Sequence, residues 1–554
     1  MRDKLSTLLG IESGEESRVS MLLTQSVFLG IFIGAFDISA HSILLSTFDE
    51  KIMARGYVVS GFAGLIVTSL FYRYQHTIKF KNFAGISLSV VTALTLFLCT
   101  WVVFSPVHIA VFILFTLFGP VNIITLLCLR GTAERLLTLE QGKRLFPLVD
   151  IAMIIGIIVI SYTIPVLISL KLHTYNILLA AVIFVFAATI IQFMLGTKFI
   201  LPGTETIQTS DGTEKRKNLP AVFYEDRYIR IIGVYAALSV VTAFFIQYSF
   251  MAVTRQQYPA AEEIASFLGL FTGSTLILIL VLKRLGFEYF LNKYGMRTCI
   301  LISPAFIAVL TAIAVAIGLF GGINPAATSG FLLFFIFLLV SRLLSRSLKE
   351  SVESLSLNVI CYPLGQNLGP RLKTIIGSSF NEIMVILSGL SLTCLGLLGF
   401  FRLLHFTILL FAISLIWLFA GLRLYREYRK LLIADREKSL QKGPGKDILI
   451  NHNSFRNRLS ADLIFRRDYF SLVTGDYSVL DKISNTWYYK KIVDNASKNN
   501  DINLIPVLKR IALNDTIEEE IRKNASDVSA FLQMPTAPTE DNKKIREALK
   551  VLAG

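Results

Sequence analysis

Two residues stand out for the chemistry they could do together. Asp37 and His41 lie four positions apart in the apolar run VFLGIFIGAFDISAHSILL, a spacing that puts both on one face of a helix. An imidazole beside a carboxylate can change protonation near neutral pH, which is the ingredient of proton coupling. The other reading of the pair is a structural hydrogen bond. Further chemistry-bearing residues sit in comparably apolar surroundings. Asp150 and Glu382 are carboxylates suited to a latch or to a cation or proton path. Asn122, Gln247 and Asn381 can hydrogen-bond a polar solute, or glue helices together. Arg130 and Arg342 offer the planar fork that suits phosphate or carboxylate. Glu134, Arg135, Lys143, Arg144, Arg346 and Glu350 complete the set as candidates for gating salt bridges or solvated faces. The spacings 130/134, 346/350 and 349/353 favour local ion pairs.

These residues need elements long enough to hold them at membrane depth. Of the 554 residues, 54% are hydrophobic and 17% charged. An average soluble chain carries about 25% charge, so the composition excludes a disordered, collagenous or disulfide-framework protein and argues against a soluble enzyme. Runs able to cross a hydrocarbon core of ~30 Å fall at 20–46, 57–73, 83–104, 107–129, 146–170 and 174–197. Six more follow at 229–253, 264–283, 298–321, 328–347, 374–399 and 405–425. The expected fold is all-α and polytopic, with twelve transmembrane helices. Lys and Arg crowd the N-terminus and the even connections, for example Arg73, Lys79 and Lys81, or Arg130, Arg135, Lys143 and Arg144. The odd connections hold little beyond Lys51, Arg55, Lys171, Arg255 and Arg402. By the positive-inside rule the even loops and both termini are cytoplasmic. Most of the net charge of +15 then reads as topology, and no nucleic-acid partner is implied.

The organisation read from the sequence is an N-terminal segment 1–17, a six-helix half 18–197, an inter-half loop 198–227 and a second six-helix half 228–427. A juxtamembrane helix and linker 428–457 lead to a cytoplasmic helical domain 458–554. Residues 428–554 carry 22 Lys and Arg against 17 Asp and Glu. Helical patterns fall at about 458–472, 477–498, 502–514 and 517–533. Cys99, Cys128, Cys299, Cys361 and Cys394 show no metal-ligand spacing. No phosphate-binding Gly-Lys-Ser/Thr loop or catalytic constellation is present, so no cofactor, metal or enzymatic activity is expected.

The segment Gln141-Gly142-Lys143-Arg144-Leu145-Phe146-Pro147-Leu148 resembles the stretch before the fifth span of the ATP/ADP translocase (nucleotide transporter) family, a branch of the major facilitator fold. Residues 348–373, with Pro363-Leu364 and then Arg371, resemble the matching segment of the second half in bacterial relatives, and 57–74 resembles their second span. The resemblance implies two parallel six-helix halves with the solute between them. Residues 504–525, with an early Pro506, Asp515 in a turn and Arg522 in the next helix, resemble a HEAT-like helix pair, an extension found in some bacterial relatives. One departure matters: where the nucleotide carriers have a Lys-Asp pair, this chain has His41-Ser42. The expected function is a secondary transporter of a polar, anionic small solute, nucleotide-like solutes included. It would lie in a bacterial inner or plasma-type membrane, with lipid and solute as partners and the tail available to a protein partner. The alternative is a transporter-like membrane scaffold whose helical tail recruits a partner complex.

Overall fold

The computed structural model describes residues 15–75, 80–104, 108–199, 226–320, 328–398, 401–441, 472, 486–499, 502–515 and 517–533. They fall into two units, Met1–Tyr428 and Arg429–Gly554, and no strand occurs among the described residues. The first unit opens with α1 (Glu16–Thr47), α2 (Glu50–Tyr74), α3 (Phe80–Phe104), α4 (His108–Leu136), α5 (Leu139–Ser169) and α6 (Thr174–Lys198). After the segment 200–225 come α7 (Arg227–Gln257), α8 (Ala261–Arg284) and α9 (Lys293–Phe320); α8 and α9 belong to one long helical stretch, kinked at Gly295 in the first turn of α9, where φ is +75°. The unit continues through α10 (Thr328–Leu348), α11 (Ser354–Cys361), α12 (Gly365–Ile375) and α13 (Asn381–Leu397), and α14 (Leu403–Gln441) runs across the boundary after Tyr428.

Eleven helices among the described residues are long and apolar enough to cross a membrane; one of them runs from Gly330 to Cys361 through α10, a π turn at Lys349–Glu353 and α11. The run expected at 374–399 is not one uniform helix. A π turn at Ile376–Phe380 interrupts it, leaving the shorter apolar helix α13. Most of the inter-half loop, the tail helix expected at 458–472 (Leu472 apart) and the first part, 477–485, of the one expected at 477–498 lie outside the described residues.

The burial pattern is the reverse of a water-soluble protein's. On α2, Val59, Phe62, Ile66 and Leu70 recur at helical spacing and are 46–60% exposed. Leu179, Ile183, Phe186, Ile190 and Phe193 form a similar stripe on α6. Such continuous apolar faces are stable against lipid rather than water. Polar groups point inward instead. Gln25 Nε2 donates to Gln192 Oε1 at 2.7 Å, and Gln192 Nε2 donates to Thr132 Oγ1 at 3.1 Å, joining α1, α6 and α4 inside the first group of helices.

Helices α1 to α6 pack largely on one another, and the two broadest seams to the second group are α2 against α13 and α5 against α8, with smaller contacts of α1 on the α8–α9 stretch and of α2 on α7. Both seams need bare backbone. A Cβ on Gly389 would stand 3.0 Å from the Val58 nitrogen, and one on Gly269 would stand 2.6 Å from the Ser161 carbonyl oxygen. Tyr162 and Ser274 hydroxyls meet at 3.1 Å across the second seam.

In the second unit, α15 (Thr486–Asn499), α16 (Ile505–Ala512) and α17 (Glu519–Gln533) enclose a core that includes Tyr488, Ile492, Leu508, Ile511, Ile521 and Val528. Pro506 stands in the first turn of α16, where its missing N–H costs nothing. Arg522 Nη1 donates to Asp515 Oδ1 at 2.7 Å, closing the turn between α16 and α17.

Candidate functional site

The helical spacing of Asp37 and His41 produces the expected pair. His41 Nδ1 lies 2.9 Å from Asp37 Oδ1 and 2.9 Å from the Asp37 carbonyl oxygen. Both neighbours are acceptors, so Nδ1 carries the proton and donates. The ring of His41 is 8% exposed, while Asp37 keeps 26% of its side chain open. Phe115 and Phe118 of α4 present their rings edge-on to His41, with centroids at 5.1 and 6.1 Å.

Around this pair the two helix groups meet. Tyr57 of α2 packs on Phe115 at 5.6 Å and on Phe244 of α7 at 5.0 Å, so one ring bridges both groups. Gln247, one turn beyond Phe244, neighbours the Tyr57 hydroxyl. Arg342 of α10 is close enough to Asp37 and Tyr57 to interact electrostatically with both. The polar atoms here are mostly unmatched. Tyr57 Oη and Gln247 Oε1 are buried without a hydrogen-bond partner, and so, elsewhere on α4, is Asn122 Oδ1. Half-buried Arg342 makes no hydrogen bond or ion pair with any described residue. One turn on, Arg346 reaches Glu350 at 3.3 Å, the ion pair its spacing favours. Tyr57, Phe115 and Phe244 were missed by the sequence reading, because aromatic residues are too common in this chain to single any out.

The remaining candidates are dispersed. Glu382 is half-buried at the start of α13 and rests on α2: a Cβ on Gly64 would stand 2.9 Å from its Oε2, and Asn381 is its neighbour. Arg130 and Glu134 are both exposed and do not pair with each other. Arg135 lies over the Phe80 ring at 3.6 Å and donates to the Gly131 carbonyl at 3.0 Å, which ties it to its own helix group. Asp150, expected to reach Lys143 or Arg144, is exposed instead. Arg144 is held by Glu15 at 2.8 Å, with Gln141 Nε2 donating to the same carboxylate at 2.6 Å. The side chains of Lys143 and Arg371 lie outside the described residues. The 349/353 ion pair does not form, and Glu353 is buried rather than on a solvated face.

A further set of charges clamps the two groups at one end. Arg255, at the end of α7, donates to Asp49 at 2.7 Å and to Glu50 at 3.1 Å, at the start of α2. His173, before α6, meets Glu262 of α8 at 3.2 Å. At the opposite end the ion pairs found among the described residues stay inside one group: Glu15 with Arg144, and Arg227 with Glu427 at 3.6 Å. The clamped end is the one with few basic residues. Arg255 and the doublet Asp49-Glu50 were visible in the sequence as rare charges on that sparse side.

No family model matches the chain, and no curated protein matches it. Solved structures do. The nucleoside transporter NupG superposes with a TM-score of 0.55 at 15% identity, covering 74% of this chain and 98% of that one. A bacterial homologue of the iron transporter ferroportin, in an inward-facing state, gives 0.54 at 14% identity, covering 73% and 98%. A bacterial metal transporter gives 0.50 at 12% identity, covering 74% and 98%. At such identities the likeness is one of fold alone: the membrane unit shares the helical fold of these solved structures.

Proposed function

We propose that this chain is a secondary transporter of a polar, anionic small solute, working by alternating access between 18–197 and 228–427. The observation that carries this reading is Arg342, a guanidinium with no partner of its own among the described residues. It lies between helix groups, beside the Asp37–His41 pair and next to unmatched Tyr57 and Gln247. Leaving buried polar atoms unmatched costs about 1–3 kcal/mol each, a cost offset when a solute supplies the missing partners. Phe115, Phe118 and Phe244 give the same space apolar walls, which suits a solute with a planar part, as the resemblance to nucleotide carriers would imply. Asp37 and His41 are the coupling pair in this proposal, and Asn122, Asn381 and Glu382 are assigned to solute contacts elsewhere between the helices.

The twelve-span arrangement belongs to the same proposal, with α13 and the π turn before it as the eleventh span. Both termini are then cytoplasmic, in an inner or plasma-type membrane. In this reading the clamped end faces outward, and parting of the opposite end opens the solute site inward. The second unit is a helical tail of HEAT-like pattern on the cytoplasmic side, free to take a protein partner.

Thermal-shift screening of the purified protein against nucleotides, phosphates and carboxylates, followed by uptake into proteoliposomes, tests the reading. A stabilising anion whose affinity falls about ten- to hundred-fold in Arg342→Ala is expected, the loss of charge-assisted hydrogen bonds worth about 1.5–3 kcal/mol. Anion binding and uptake untouched by Arg342→Ala would sink it. A protein that binds no solute but captures a partner through residues 458–554 would establish the scaffold reading instead.

A further inference from the structure

On a regular α-helix, Arg342, Arg346, Lys349 and Glu353 would share one stripe, at i, i+4, i+7 and i+11. The helix is not regular there. A π turn spans Lys349–Glu353, with the Ser354 N–H reaching back to the Lys349 carbonyl. The wider turn lags behind the 3.6-residue period, so Glu353 is rotated off the stripe that carries the two arginines. It ends up 2% exposed beside Ser239 of α7. Glu353 Oε2 and Ser239 Oγ are both buried with no hydrogen-bond partner. Lys349, four residues back, is close enough to interact electrostatically but is not within ion-pair distance. The other titratable group facing Glu353 is Tyr235 of α7, whose hydroxyl is already committed, donating to the Ile300 carbonyl of α9 at 2.9 Å.

A carboxylate in that position is a costly residue to keep. An ionised group without partners in a low-dielectric interior costs several kcal/mol, and ionisable groups at membrane depth are rare unless they serve a pathway. π turns are themselves uncommon and concentrate at functional sites. The same membrane unit has a second one, Ile376–Phe380, two residues before the half-buried carboxylate Glu382.

We propose that Glu353 is a proton-binding site of the second helix group, alternating between a carboxylic acid shut against α7 and a carboxylate that faces water. In the closed form the carboxyl O–H stays on Glu353 inside the π turn. When the turn rewinds to α geometry, Glu353 returns to the stripe of Lys349. The O–H bond then breaks, the proton passes to water, and the carboxylate pairs with the Lys349 ammonium four residues away. One proton is bound or released per cycle and no other reactant is needed. This site is separate from Asp37–His41, which lies on α1. It depends on the transport reading only for its consequence, the coupling of proton movement to solute movement.

Infrared difference spectroscopy of the protein in lipid nanodiscs, recorded without solute from about pH 5 to about pH 9, reads the site directly. Wild type should show a carboxylic-acid carbonyl band that shifts in deuterium oxide and is absent from Glu353→Gln, while Glu353→Asp retains a displaced band. An unchanged carboxylic-acid spectrum in Glu353→Gln would overturn the proposal. If Glu353→Gln does not give folded protein, Ser239→Ala keeps the carboxyl and removes the adjacent hydroxyl. A displaced band then supports the site, and an unmoved one overturns it. Since no solute is present, failure here is distinct from failure of the uptake assay.

Discussion

The clamp at the sparsely charged end makes a quantitative demand on Arg255. Its guanidinium is 30% exposed and holds two carboxylates, Glu50, 28% exposed, and Asp49, 75% exposed. Exposed ion pairs are worth about 0.2–1 kcal/mol each, and the openness of Asp49 puts its share at the bottom of that range. The two together should contribute about 1 kcal/mol to the clamped state. The separated state, in which α2 and α7 part, loses all of it. With RT near 0.6 kcal/mol, removing the clamp in Arg255→Gln should shift the balance toward separation about fivefold. Raised salt should do part of the same to wild type, because screening acts on exposed charges.

Spin labels at Leu172→Cys and Arg402→Cys, one on each helix group at the clamped end, would report this by distance measurement in a background lacking the five native cysteines. Arg255→Gln should raise the population of the long distance about fivefold, and the double exchange Arg255→Glu with Glu50→Arg should restore much of the short one. If Arg255→Gln leaves the distribution unchanged, or if the opposite end separates instead, the ion pairs are surface ornaments and the argument that they bias the two states is wrong.

Two other outcomes follow from buried groups. Tyr57→Phe removes a hydroxyl that is buried without a partner, so thermal stability without solute should rise by about 1 kcal/mol, while anion binding weakens; a loss of stability would mean that the hydroxyl is satisfied in the folded protein. Leu508→Ala empties a fully buried position in the core of the second unit and should cost it about 2–5 kcal/mol. Hydrogen exchange would then speed up across α15–α17 and leave α1–α13 protected, and matching acceleration in both units would refute their independence.

What could be read from the sequence was what helical periodicity fixes locally. Asp37 with His41 and Arg346 with Glu350 are each four residues apart, and both pairs form because the distance between their side chains depends on one turn of one helix. The apolar runs gave the helical membrane body for the same reason. Arg130 with Glu134 had identical spacing and did not pair, since two exposed side chains gain too little from each other to give up their freedom. Partners such as Arg255 and Asp49 are 206 positions apart, and only the packing of α2 against α7 brings them together. Glu15 was likewise hidden: it sits before the first span among other polar residues, and its role follows from where α5 begins.

The π turns show a different limit. Neither Lys349–Glu353 nor Ile376–Phe380 contains proline, and the first contains no glycine either, so no residue announces the change of pitch. A regular helix was the natural reading of both stretches, and it put Glu353 in an ion pair with Lys349 and the eleventh run in a single span. The cause is tertiary. A helix widens by one residue when its neighbours reward a side chain for facing elsewhere, and here the widened turn trades a local ion pair for burial of Glu353 against α7. Propensity cannot supply that trade, because an unpaired buried carboxylate loses free energy in any static accounting. It becomes intelligible if the buried form is one of two that the protein visits. The same reasoning applies to the unmatched groups around Arg342: a rigid scaffold gains nothing from them, whereas a protein that must bind, release and rearrange needs polar atoms that are satisfied in only part of its cycle.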